Sequence, residues 1–357
     1  MDVSGEITEI KYSPFLCREL DICDVSNLEK ALSKYGSFIL TIDKKRQIAV
    51  SCWVSAKRTR SYPYARVYNT LNSQGKKITI IPIMKDEGRE GDRDFLQWDT
   101  ISLMSLLGVY TIISYYNSAE QNSRYRHKIT NQRFDISHLK EEINNLLSYQ
   151  SGALHWNLAQ IDKVGNIAQK ALGSYAKISR KLGVEMHSRE SAEKRVLELL
   201  KGKENFMKLS RDLAKSAQNR ESLTIQPKEK LSGVKATLTI KNYLGGYYYF
   251  TVDEVDIKKD IIYLIEGKHS KQSLIPSLDD IKDGLVKMIL FTNLKKVKIG
   301  DGEYSPIAVL KLTSAIRFSQ GLLRDSQLQQ LLLLKKEAEK NRFRVVINNT
   351  NLQDIEI

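Results

Sequence analysis

Apolar and polar positions along this chain fall into stretches of different period. In the first third, β-branched and aromatic runs alternate with short polar breaks. Ser26 to Tyr35 predicts a short helix behind an Asn or Ser cap, and Ser37 to Ile42 pairs with Gln47 to Ser55 across Asp43-Lys44-Lys45-Arg46. The apolar run Ile78 to Met84 contains Pro82, which predicts an edge strand or a strand that ends there. A helix from Asp94 to Leu107 and a strand from Val109 to Tyr116 complete a mixed α/β module over residues 1–120. No residue between Asp99 and Glu120 is charged, yet its serines, threonines and tyrosines are too polar for a bilayer span, and a buried helix followed by a strand fits better. From Ile136 to Leu213 apolar residues recur every three or four positions, so residues 121–187 read as a helical bridge or dimerisation region.

The period returns to two near the C-terminal end. Val234 to Tyr243 is one strand, and Tyr247 to Lys268 reads as two strands joined by a short polar turn. Leu278 to Leu290 has helical spacing, followed by strands at Lys295 to Ile299 and Ile307 to Thr313, a charged amphipathic helix from Gln320 to Lys340 and a last strand from Phe343 to Asn348. Register in the hairpin decides which side chains meet, because a one-residue slip moves each of them to the other face. With Lys259-Asp260 as a two-residue turn, Ile257 faces Ile262, Val255 faces Leu264 and Asp253 faces Glu266. A three-residue turn would set Glu254 against Leu264 and Asp256 against Ile262, which wastes the pattern. Glu266 and Lys268, two apart on a strand, share a face.

Two adjacent carboxylates repel unless a proton or cation lies between them. Oxygen ligands favour a hard ion, and magnesium takes one or two protein carboxylates together with waters and substrate phosphates. Such an ion polarises a phosphoryl oxygen while Lys268 steadies developing charge or orients the attacking water. The chemistry indicated is phosphodiester hydrolysis, with Asp253, Glu266 and Lys268 as catalytic residues and Asp253 and Glu266 as Mg2+ ligands. The bland alternative is an exposed strand end with a surface ion pair.

At Asp253, Glu266 and Lys268 the chain resembles the PD-(D/E)xK nuclease superfamily, in particular its type II restriction endonucleases. Val252 stands where that family often has proline. The resemblance implies metal binding by the two acids, a catalytic role for the lysine and a cut that leaves a 5′-phosphate. It also implies a restriction-endonuclease-like αβββαβ core with a central mixed sheet, here within residues 188–357. An acid on the preceding helix often completes the family's metal site; Glu204 is the candidate, with Glu193 and Glu198 as competitors.

Charge agrees with a polyanionic partner: 56 basic against 42 acidic residues give a formal +14. No basic amphipathic helix or lipidation motif points to a membrane. Lys57 to Arg66 interleaves cations with aromatics, as does Arg124 to Lys128, so Arg58, Arg60, Arg66, Arg124 and Arg126 are the candidate DNA contacts, the alternative being solvated basic loops. Asp86 to Asp94 is a rival acidic cluster whose glycines and mixed charges read as a mobile surface loop. His138, His155 and His187 are isolated, and His269 points away from Lys268 if its strand continues. Three cysteines, Cys17, Cys23 and Cys52, match no zinc spacing and fit a reducing compartment, expected to be a prokaryotic cytoplasm.

These readings converge on a sequence-specific, magnesium-dependent endonuclease of double-stranded DNA, working as a homodimer because two cuts in a palindrome are most simply made by two related subunits. No small-molecule cofactor is expected. A repair or junction-resolving nuclease with the same core, and a non-catalytic DNA-binding regulator, are the alternatives.

Overall fold

A computed structural model describes residues 1–56, 62–201, 204–209, 211, 212, 216, 234–243, 246–316 and 318–355. The chain is mixed α and β and forms two compact units, Glu19–Arg211 and a second made of Met1–Arg18 with Asp212–Ile357. The first strand, β1 (Asp2–Ile7), belongs to the second unit.

In residues 19–211, β2 (Ile22–Asp24), β3 (Ser37–Thr41), β4 (Gln47–Cys52), β5 (Lys77–Pro82) and, farther along, β8 (Tyr110–Ser114) form one sheet in the order β2-β3-β4-β5-β8. Helix α1 (Leu28–Lys34) precedes β3 as its spacing requires. The β3–β4 turn is fixed by Asp43, which accepts from the backbone N–H groups of Lys45 and Arg46 and from the Arg46 guanidinium. Pro82 ends β5, which is central and not an edge. A short helix, α2 (Pro63–Tyr68), lies between β4 and β5, with proline at its first position.

The acidic stretch after β5 is not a surface loop. It is the hairpin β6 (Met84–Asp86) and β7 (Arg93–Phe95), with Asp86 and Asp94 both buried. Asp86 accepts from the Gly88 N–H and lies 2.8 Å from His187 Nδ1, while Asp94 accepts 2.6 Å from Ser55 Oγ. Those internal bonds use acids that a composition reading assigns to solvent. The uncharged stretch becomes buried α3 (Trp98–Leu106) and β8, and the run ending at Tyr116 divides there, because β9 (Tyr116–Gln121) leaves the sheet to pair with β10 (Ile129–Phe134).

The first helices of the helical stretch pack on this sheet. Helices α4 (Ile136–Ser148), α5 (Ala153–Asp162), α6 (Val164–Leu182) and α7 (Arg189–Leu200) follow β10. Asp135 caps α4, and His138 Nε2 donates to the Ile113 carbonyl at 3.1 Å. On α5, Trp156 Nε1 donates to the Thr111 carbonyl and Asn157 Oδ1 accepts the Thr111 N–H at 2.6 Å. A boundary at residue 120 would separate these partners, which is why the three-part reading of the sequence differs from the folded units.

The other unit centres on a meander, β11 (Val234–Asn242), β12 (Tyr247–Lys258) and β13 (Ile261–Ser270). Helix α8 (Leu278–Phe291) then crosses over. Ser277 caps it by accepting from the Asp280 N–H, and Asp279 and Asp280 in its first turn complement the helix dipole. The strand that follows α8 in sequence, β14 (Lys295–Ile299), is antiparallel to β1; β13 instead pairs in parallel with β15 (Gly302–Ser314), from Ile261↔Ser305 to Ser270↔Ser314. Helix α9 (Asp325–Asn341) leads on to β16 (Arg344–Ile347), parallel to β15, and β17 (Thr350–Asn351) ends the sheet. Since β1 joins β11 to β14 and β15 touches both β14 and β13, the pairings close into a ring. Ile262, Leu264, Leu285, Ile289 and Leu310 are buried between this sheet and α8's side of it.

Candidate active site

The site is assembled from two neighbouring strands and one helix. The β12–β13 ladder runs Lys258↔Ile261, Ile257↔Ile262, Val255↔Leu264 and Glu254↔Ile265, which is the register of a Lys259-Asp260 turn. Lys259 takes φ 58°, a left-handed value suited to a two-residue hairpin loop. On the other edge of β12, Val234 pairs with Val255 but Ala236 with Val252, so β12 carries one extra residue at Asp253-Glu254. A bulge re-aims the side chains beside it. Asp253 Oδ2 accepts the Gly267 N–H at 2.9 Å, and its carboxyl group lies beside that of Glu266.

Glu266 is 2 % exposed and carries an ammonium on each oxygen. Lys268 Nζ lies 3.1 Å from Oε1, and Lys287 Nζ lies 2.5 Å from Oε2. Lys268 also reaches Asp283 Oδ2 at 2.8 Å. Asp283 and Lys287, one turn apart on α8, therefore face Lys268 and Glu266, two apart on β13. Burial pushes the Glu266 carboxyl up, but Lys287 and Lys268 outweigh it and hold the group down at about 2. Burial likewise opposes the charge on Lys268, and the carboxylates of Glu266 and Asp283 outweigh it, so its ammonium sits well above the usual lysine range. Close approach of α8 depends on Gly284: a Cβ there would lie 2.7 Å from Leu310 Cδ1 and 3.3 Å from Lys268 Cε.

The opposite face of the same strands holds a second ion pair. Glu254 on β12 and Lys311 on β15 flank β13 and meet at 2.9 Å. Lys311 is paired with Gly267, which has no side chain to interpose. His269 lies on this face too, with Nδ1 3.0 Å from Thr313 Oγ1. Alternation along a continuing β13 puts it away from Lys268.

Asp253, Glu266 and Lys268 are thus brought together, and Asp283 and Lys287 join them. The helix spacing of those two showed in the sequence, but nothing local said which strand they would cover. Glu204 and Glu193 are exposed in the other unit, and Glu198 there pairs with Lys201. Arg58 and Arg60 lie outside the described residues. Arg66 is packed inward over Gly36 and donates to the Cys52 carbonyl at 2.8 Å, a tie that holds the end of β4. Arg124 and Arg126 are exposed at the tip of the β9–β10 ribbon.

Comparison of the chain with protein-family models, curated proteins and solved structures returned no match. Among the described residues no helix is long and apolar enough to cross a membrane, and no three His, Cys, Asp or Glu side chains form a metal-binding group. Two carboxylates suffice for magnesium, whose other positions go to waters and phosphate oxygens. Asp253 and Glu266 supply such a pair. The cluster also has three carboxylates, with Asp283, against the two ammoniums of Lys268 and Lys287, so the residues present fit a hard cation in donor type and in charge.

Proposed function

We propose that this chain is a magnesium-dependent endonuclease of double-stranded DNA, with the PD-(D/E)xK arrangement of restriction enzymes. The observation that carries the reading is the meeting of Asp253 with Glu266 at a strand bulge, with Lys268 on the same face two residues on. The order of elements also supports it: a three-stranded meander, a crossover helix and, after β14, a strand parallel to the third correspond to the βββαβ part of that core.

Asp253 and Glu266 are the residues that would hold the ion, which when bound supplies a Lewis acid for the phosphodiester. Lys268, kept protonated by its two carboxylates, is suited to neutralise negative charge developing on the phosphoryl group and not to take a proton from water. Lys287 keeps Glu266 ionised in its buried position. Cleavage of both strands of a palindromic site would call for a homodimer.

The test is incubation of the purified chain with a long mixed-sequence duplex and magnesium, beside Asp253→Ala and Glu266→Ala and a chelator control. Discrete fragments lost in both variants are the expected result. Duplex bound but left intact in magnesium and in manganese would set the nuclease reading aside in favour of a DNA-binding regulator; cutting of branched DNA alone would move it to junction or repair substrates.

A further inference from the structure

The β9–β10 ribbon is a braced arm with cations at its tip. Tyr116 and Phe134 stack at its base with ring centroids 4.5 Å apart. The Ile129 N–H donates to the Glu87 carbonyl, and His127 lies 3.1 Å from Glu90, so the β6–β7 hairpin props the far end. The connecting loop is bonded to itself. Asn122 Oδ1 accepts the N–H groups of Arg124 and Tyr125, its own N–H donates to the Lys128 carbonyl, and Gln121 Nε2 donates to the Arg126 carbonyl. Tyr125 is 55 % exposed, with Lys128 Nζ over its ring. Elsewhere on the ribbon the charges are spoken for: Arg133 pairs with Glu120. Arg124 and Arg126 are exposed, and neither guanidinium has an ion-pair partner among the described residues.

A loop ordered before binding loses little entropy when it binds, and unpaired guanidiniums sacrifice no internal contact. The major groove of duplex DNA admits a two-stranded ribbon, and arginine is the side chain whose fork matches the guanine edge there. We infer that the tip of this ribbon enters the major groove of double-stranded DNA, with Arg124 and Arg126 as its contacts and Tyr125 packed between them. The identity of the polyanion rests on the endonuclease reading; the shape and charge of the arm do not.

The full chain is titrated with a short duplex selected from a random-sequence pool by binding to the wild-type chain, in chelator so that turnover plays no part, over a series of salt concentrations and with dimethyl sulfate protection of guanine N7. The wild-type chain is expected to protect N7 positions. Arg124→Ala/Arg126→Ala should lose that protection, bind roughly tenfold or more weakly, and show a log affinity against log salt slope shallower by about 2. Arg124→Lys/Arg126→Lys should keep the slope and lose the protection, because a lysine keeps the charge without the fork. Both substitutions are on exposed side chains, and unchanged thermal melting excludes misfolding. An unaltered slope and protection pattern in the alanine pair, or no binding of duplex by the wild type, would overturn the proposal. Cleavage is scored separately with the same wild-type protein: arm-dependent binding without cleavage defeats the nuclease reading alone, and cleavage with arm-independent binding defeats the arm alone.

Discussion

Lys287 Nζ lies 2.5 Å from Glu266 Oε2, so the buried carboxylate of β13 is neutralised from the helix above it as well as from Lys268 on its own strand. A buried charge that loses a partner is costly, on the order of 3–5 kcal/mol. Lys287→Met should lose about that much stability in metal-free buffer by denaturant titration. On the proposed reading magnesium is held through the same carboxylate, so adding it should restore part of the loss. A variant as stable as wild type without metal would show that Lys287 does not serve Glu266.

Asp253 differs, because it is only partly buried and one of its oxygens already accepts the Gly267 N–H. Asp253→Asn keeps a carbonyl oxygen for that bond and removes the charge. Expected are a melting temperature close to wild type and a fall in magnesium-dependent cleavage on the order of a hundredfold or more. Equal loss of stability and activity would make the residue structural.

The hairpin was legible because its apolar residues oppose one another in one register only, and that register carried Asp253 to Glu266. The bulge was not, since Asp253-Glu254 looks the same in sequence whether or not β11 pairs with an extra residue there. Nor were Asp283 and Lys287: their i,i+4 spacing fixed a shared helix face, and only the crossover over β13 says what that face meets. Parallel pairing of β1 with β11, Asp2↔Thr237 onward, joins opposite ends of the chain and has no local signal. Asp86 and Asp94 misled because side chains distant in sequence, His187 and Ser55, hydrogen-bond them inside the fold.

Acid should unfold the unit that holds Glu266 in a way that depends on that residue. Its folded carboxyl sits at about 2 against an ordinary 4.5, so as pH falls the unfolded chain takes up the proton first. The stabilisation is complete above about pH 4.5 and is lost as pH falls towards about 2. A shift of that size corresponds to about 3 kcal/mol. Glu266→Gln should be less stable than wild type at neutral pH, with two lysines left short of a counter-charge, but should show a flatter stability curve through the acid range. Parallel curves for the two proteins would place the acid sensitivity elsewhere.

Gly284 offers a test in which the sign of the effect decides. Inside an exposed helix, glycine to alanine is stabilising by roughly 0.8–1.0 kcal/mol. Here the added methyl would sit 2.7 Å from Leu310 Cδ1 and 3.3 Å from Lys268 Cε. Leu310 is fully buried and cannot swing into solvent, so relief has to come from α8 lifting off the sheet. Overpacking of a core costs about 1–3 kcal/mol, enough to reverse the helix preference. Gly284→Ala is therefore expected to be destabilised. Any lift of α8 also moves Asp283 and Lys287 away from Lys268 and Glu266, so cleavage should fall further than stability does at a temperature where the variant is folded. A stabilised, fully active Gly284→Ala would mean that α8 has room to spare and that the four-residue charge cluster does not depend on its close approach.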